Sequence, residues 1–318
     1  MTSNATSRST RSSVVTLALL FGTIATIAGC GGGDATRPPP PADVWHIVAG
    51  RSWSMPAETE GFVCFGVHLT SDEYLTGFRL VSPNQAQNEV LLTVSDSPMT
   101  EGSFDCYAGS LATHLIYAAS GATGPIEFPA GLGVHVLAGQ YLLLNIHLNN
   151  VASTSVTDST RIEARIGTAA DVTTPIDMQM AGTFYLNVPN DGVLHTASGN
   201  CYAIAANHLV AFLPLMRSTA THQRLSIDSV ATTQVIFDED FHLQHDDYTQ
   251  PATPIAITLG HRLSTLCSYV NTGPATLTYG ESAENESCFS AIYRYPTSAT
   301  SSLYDCASGY ASFDVKRE

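Results

Sequence analysis

Apolar residues recur along this chain in short runs, unbroken or alternating with polar ones, and each run is bracketed by Gly, Pro, Asn, Asp or Ser. The clearest lie at 63–69, 77–81, 90–94, 141–148, 161–166, 208–215, 235–237, 255–259 and 289–295. Their β-branched and aromatic content, their period of two and the turn signals between them predict strands of antiparallel sandwiches. No long stretch carries an apolar stripe at helical spacing, which speaks against an α/β fold. Around 169–176 the pattern lapses into small and polar residues with Pro175, so a seam is expected between two halves, 44–170 and 171–318.

The first residues read as an address. Residues 1–13 are polar with Arg8 and Arg11 and no acid, and 14–29 is an apolar run ending in Ile27-Ala28-Gly29-Cys30. The run is shorter than the roughly 20 residues a spanning helix needs. Small residues ahead of a cysteine are the pattern of a lipoprotein export signal, 1–29, with Cys30 carrying the lipid after cleavage. Residues 30–43 then form a Gly/Pro-rich tether, flexible first and stiff afterwards. The expectation is an exported protein anchored to the cell envelope through its lipid. Gly31 after Cys30 points to a bacterial outer membrane, with the body facing periplasm or medium.

Composition narrows the class. With 44% hydrophobic and 13% charged residues the chain can build a core and is not a disordered polyelectrolyte. A net charge of -15 excludes non-specific nucleic-acid binding. Setting Cys30 aside leaves Cys64, Cys106, Cys201, Cys267, Cys288 and Cys306, which disulfides would join in an exported protein. Spacing leaves the connectivity open, although the first two thiols stand apart from the last four. No C-x-x-C is present, so neither a thioredoxin-like nor a zinc-ribbon role has support.

Searching by chemistry alone yields little: there is no G-x-S-x-G, Walker loop, Rossmann glycine run or H-E-x-x-H. Histidine is the outlier, with 11 against the single lysine Lys316. The stretch 237–247 is rich in metal-compatible groups, including His242 and His245, but reads as a solvated acidic loop. His147 sits in the most apolar run of the chain, where a hydrogen-bonded core histidine is the ordinary reading.

Several landmarks then carry a family resemblance. The segment FPAGLGVHV at 128–136, followed by GQYLLLNIHLNN at 139–150, resembles the copper type II ascorbate-dependent monooxygenases. These are the peptidylglycine α-hydroxylating and dopamine β-monooxygenase enzymes. HLVAFLP at 208–214, DFHLQ at 240–244, LGHRL at 259–263, CSYVNT at 267–272, and GES at 280–282 leading to CF at 288–289 follow in the family's order. The resemblance covers about residues 60–297. It implies an all-β fold of two tandem antiparallel jelly-roll-like β-sandwich domains. It also implies disulfides joining Cys64 to Cys106, Cys267 to Cys288 and Cys201 to Cys306.

The same resemblance implies two copper ions, one held by three histidines in the first domain and one by two histidines and a methionine in the second. Carried over position by position, these ligands fall on Asn88, Glu89 and His147, then on Leu215, Arg217 and Ser287. One imidazole survives. Glu89 and His147 form at most a poor two-donor site, and Met216 falls between the mapped ligands as a packing residue. Arg217 opposes a cation outright, since two unit charges 4 Å apart repel by about 4 kcal/mol at an effective dielectric near 20. The reading is therefore a non-catalytic binding or envelope-structural module with no copper cofactor, taking a small molecule or peptide in the interdomain cleft. Two rivals stand beside it: an active copper monooxygenase that recruits displaced histidines such as His208 or His222, and a copper-binding protein without turnover.

Overall fold

The computed structural model describes residues 44–81, 87–120, 123–243, 247–297, 303–304 and 306–308, without the side chains of Gln87 and Asn88. The expected signal at 1–29, Cys30 and the tether residues up to 43 lie outside the described residues, as does His245. Among the described residues there are 22 strands and no helix. In chain order they are β1 (Trp45–Met55), β2 (Thr59–His68), β3 (Glu73–Val81), β4 (Gln87–Ser95), β5 (Gly102–Cys106), β6 (His114–Ser120), β7 (Ile126–Glu127), β8 (Leu132–Val136), β9 (Tyr141–Asn150), β10 (Val156–Gly167) and β11 (Thr174–Pro175). There follow β12 (Asp177–Thr183), β13 (Asn187–Val188), β14 (Leu194–Tyr202), β15 (Asn207–Leu215), β16 (Ala220–Asp228), β17 (Thr233–Asp240), β18 (Ile255–Ile257), β19 (Arg262–Val270), β20 (Leu277–Thr278), β21 (Cys288–Tyr295) and β22 (Cys306–Ser308). Each of the nine apolar runs overlaps a strand, so the protein is an all-β sandwich.

A ten-stranded sheet, in the order β18-β15-β21-β12-β6-β4-β9-β2-β5 with β22 beside β12, takes strands from both halves of the chain. Its two parts meet where β12 pairs with β6 at the single position Met178 opposite Leu115. A six-stranded sheet (β1-β10-β3-β8-β11, with β7) covers the part built from the first half, and a four-stranded sheet (β14-β19-β16-β17) covers the other. Apart from β8–β11 and β12–β22, the named pairings are antiparallel. The chain turns toward the second half only after β11 has paired with β8, inside the stretch 169–176 where the seam is expected.

Two apolar layers hold this arrangement. Phe78, Leu92, Tyr117, Leu144, Ile146 and Tyr293 belong to a core under the six-stranded sheet. Leu209, Phe212, Leu225, Leu263 and Ile292 fill the space under the four-stranded one. Each such side chain, removed from water, stabilises the fold by roughly 1.5–3 kcal/mol before entropy is counted. Disulfides Cys64–Cys106, Cys201–Cys306 and Cys267–Cys288 staple strands together, in the pairing that the resemblance implies.

Candidate functional site

The site begins as a row across the ten-stranded sheet. Residues directly opposite in an antiparallel pair point to the same face. Ser120 on β6 lies opposite Glu89 on β4, Glu89 opposite His147 on β9, and His147 opposite Phe62 on β2. Register alone therefore sets a hydroxyl, a carboxyl, an imidazole and a phenyl ring side by side. Phe62 stacks on the imidazole with ring centres 4.5 Å apart. Glu60, two residues before Phe62, shares its face.

The second half covers this row with loops. Arg217 follows β15, and its guanidinium reaches His147 Nδ1 (3.4 Å), Glu89 (3.5 Å) and Glu281 (3.3 Å). Tyr279 donates its hydroxyl to the other oxygen of Glu281. Glu60 accepts from the Ala283 N–H (2.5 Å) and the Ser282 hydroxyl (2.9 Å) and meets His147 Nε2 at 2.6 Å. The loop carrying Arg217 is held by Glu286, fully buried, which accepts the N–H groups of Arg217, Thr219 and Ser287 and the Thr219 hydroxyl.

These contacts fix the protonation of the ring. Arginine can only donate, so Nδ1 must be the acceptor and the ring proton sits on Nε2, donated to Glu60. Burial, seconded by the Arg217 charge, holds the His147 pKa below its ordinary value against the opposing pull of Glu60 and Glu281. Burial works to raise the Glu60 carboxyl, but the Ala283 N–H, His147 and Ser282 outweigh it and keep it low. Glu89 is different: burial pushes its pKa up to about 7, with Arg217 pulling down and Glu281 adding to the rise. Burial also raises Glu286 despite its four donors.

Around Arg217 lies a cavity of about 150 Å³ lined by Glu89, Ser120, Asn149, Leu215, Met216, Arg217, Ser218, Leu243, Ala283 and Ser287. Four of the five positions at which the resemblance replaces a copper ligand, Glu89, Leu215, Arg217 and Ser287, thus face one space. The fifth, Asn88, has a side chain outside the described residues. Ser287 donates to the Leu215 carbonyl at 3.1 Å. Met216 lines the cavity and packs into a core cluster with Phe241 and Tyr269.

A copper ion does not fit these residues. A neutral imidazole offers one lone pair, and that of His147 faces a guanidinium; its other nitrogen is taken by Glu60. Leucine offers no donor, and the neutral Ser287 hydroxyl is a weak, hard ligand where copper favours imidazole or sulfur. Among the described residues no three His, Cys, Asp or Glu side chains converge as a metal site requires. His208 stacks on Tyr295 at 4.6 Å, and His222 pairs with Asp238 at 3.3 Å on the four-stranded sheet; neither joins His147. The stretch predicted as a solvated acidic loop is partly strand, since Phe237 to Asp240 end β17. Sequence reasoning named His147, Glu89 and Arg217 but missed Glu60, Glu281, Glu286 and Ser120.

No family model matches the chain, and no curated protein matches it. Among solved structures, infectious bursal disease virus Gx strain overlaps 79% of this chain and 72% of its own at 13% identity, with a TM-score of 0.17. The VP2 subviral particle of the same virus gives 12% identity over 79% and 72%, with a TM-score of 0.20. Scores at this level carry no argument about function.

Proposed function

We propose that the protein is an exported, lipid-anchored binding or envelope-structural module, built on a scaffold resembling the copper type II monooxygenases and working without their copper chemistry. The observation that carries this reading is the position of Arg217, whose guanidinium faces the one imidazole retained from the implied ligand set and neutralises Glu89 and Glu281. A fixed cation stands where the resemblance calls for a redox ion. The reading gains further support because positions assigned from sequence alone, more than 120 residues apart, meet at one cavity. That cavity is then a site for a small molecule.

The test is to incubate the full chain with copper, dialyse, count bound metal per chain and follow ascorbate-driven O2 uptake. The expected result is no tightly held copper and no uptake above a buffer control. Two retained ions with uptake would overturn the proposal in favour of the monooxygenase; retained copper without uptake would favour storage.

A further inference from the structure

The two ends of the molecule offer different surfaces. Tyr202 at the end of β14 lies opposite Arg262 at the start of β19, Arg262 opposite Asp228 at the end of β16, and Asp228 opposite Thr233 at the start of β17. Three turns leave the four-stranded sheet from this row, at 203–206, 229–232 and 258–261. On them Ile204 is 90% and Leu259 64% exposed and Val230 is fully exposed, beside Tyr202 at 64%. Single apolar residues on a surface are ordinary, but four gathered at one end call for a neighbour. The turns are firmly built. Ala203 N–H donates to the His261 carbonyl and Gly260 N–H to the Ala203 carbonyl, both at 2.8 Å, and Ser229 N–H donates to the Thr232 carbonyl at 2.8 Å.

The chain enters at this same end. Pair by pair, the start of β1 meets the end of β10, which meets the start of β3 and then the end of β8. The short link 137–140 leads to the start of β9, beside the end of β4, the start of β6 and the start of β12. From there the end of β21 leads to the start of β15, which the first turn joins to Tyr202. The Arg217 cavity lies at the other end, beyond the last residue of β15, about 26 Å away at about 3.3 Å per step. Residues 30–43 span at most about 50 Å when fully extended. A body standing on its cavity end would use about half of that reach running back along its own flank; standing on the turns it uses none. Charge agrees. None of the three turns carries an acid, and Asp228 and Asp177 nearby are paired with Arg262 and Arg294. The links at the cavity end carry Glu58, Asp191, Glu281 and Glu284, which an anionic bilayer repels. Asp72, Asp96 and Asp171 share the entry end but sit on turns of the first half, so the second half makes the contact. We infer that these three turns rest on a lipid bilayer, with Ile204, Val230 and Leu259 in the headgroup region, Tyr202 at its surface, and the Arg217 cavity facing away from the membrane.

This inference rests on the reading that the chain is lipid-anchored, so anchor and orientation are read separately. The full chain, recovered with its lipid from a bacterial host, is reconstituted into vesicles of phosphatidylethanolamine and phosphatidylglycerol, with or without bromine on the upper acyl chain. Two variants each add an indole at an exposed apolar position: Ile204→Trp on the first turn, and Leu194→Trp at the opposite end of β14. With the wild-type emission subtracted, bromine should quench Ile204→Trp by about half, as for a group about 5–10 Å into the interface, and leave Leu194→Trp unchanged. Adding Val230→Asp and Leu259→Asp to Ile204→Trp should restore most of the lost intensity. Equal quenching of both variants, or none of Ile204→Trp, would overturn the inference. So would a blue-shifted Ile204→Trp emission insensitive to bromine, the sign of a protein or a second copy covering the turns. Flotation with the vesicles reads the anchor, with the wild type expected to float and Cys30→Ser to stay behind. A floating chain with Ile204→Trp unquenched sinks the orientation alone, whereas a wild type that stays behind sinks the anchor and the orientation with it.

Discussion

Arg217 is the residue on which the site turns. Its charge is shared by two carboxylates and its edge by an imidazole, so removing it strands all three. Arg217→Met keeps the apolar stem and should lower stability by about 1–3 kcal/mol in denaturant titrations, the cost of leaving polar groups at the site without their donor. The same change removes a positive neighbour from His147 and should move that ring's pKa upward in a histidine NMR titration. An unmoved His147 would mean that the guanidinium is not against the ring in solution. His147, Glu89 and Arg217 were legible in the sequence because a pattern of landmarks surrounds them. Their partners were not: Ala283 meets Glu60 across 223 positions, and nothing in the composition near either residue signals the meeting.

At the scale of the strand, what the sequence reveals depends on how the apolar residues alternate. β9 and β15 are almost continuously buried and announce themselves. β14 does not, because it exposes Leu194, Thr196, Ser198, Asn200 and Tyr202 while its inward face is small, with Ala197, Gly199 and Cys201. A methyl group at Gly199 would overlap the Gly182 carbonyl, so this small face is a condition of two sheets lying close. The acidic end of β17 was hidden for another reason: it is an edge strand, where charge guards against further pairing. The four-stranded sheet is also tied by Asp228 on β16, which accepts from Thr233 on β17 and from Arg262 and Ser264 on β19. Burial would raise this carboxyl, but Ser264, Thr233 and Arg262 prevail and hold it below its ordinary value. A depressed carboxylate contributes stability above its unfolded pKa of about 3.9 and loses it as pH falls through the folded value. Asp228→Asn should therefore cost about 1–2 kcal/mol at pH 7 and flatten the acid limb of the stability curve below pH about 4, both read from denaturant midpoints.

For the whole molecule, the question is what joins two sets of strands whose shared sheet is continuous through only one residue pair. Tyrosines supply much of the answer. Tyr248 donates to the Ala118 carbonyl at 2.6 Å and accepts from the Ala118 N–H at 3.2 Å, completing the β6 edge that β12 leaves free. Tyr293 on β21 donates to the Ile116 carbonyl at 2.7 Å. Tyr248→Phe leaves both Ala118 groups unpaired and should cost about 1–3 kcal/mol. Trp45 and Trp53 both lie on β1, so their fluorescence reports the first half while far-UV circular dichroism reports all strands. In wild type and variant the two signals should fall at one denaturant concentration, lower for the variant; separated transitions would show the halves unfolding independently. The all-β class and nine strand positions were legible from alternation, whereas this weld, built from aromatic rings distant in sequence, was not.

The guanidinium beside His147 is part of the polypeptide and arrives with it. Carboxylates balanced this way are neutralised the moment the chain folds, with no dependence on trace-element supply, a delivery chaperone or a reductant. No chelator can extract the charge. That makes the balanced face a permanent property of the molecule and not a state it enters when an ion is at hand.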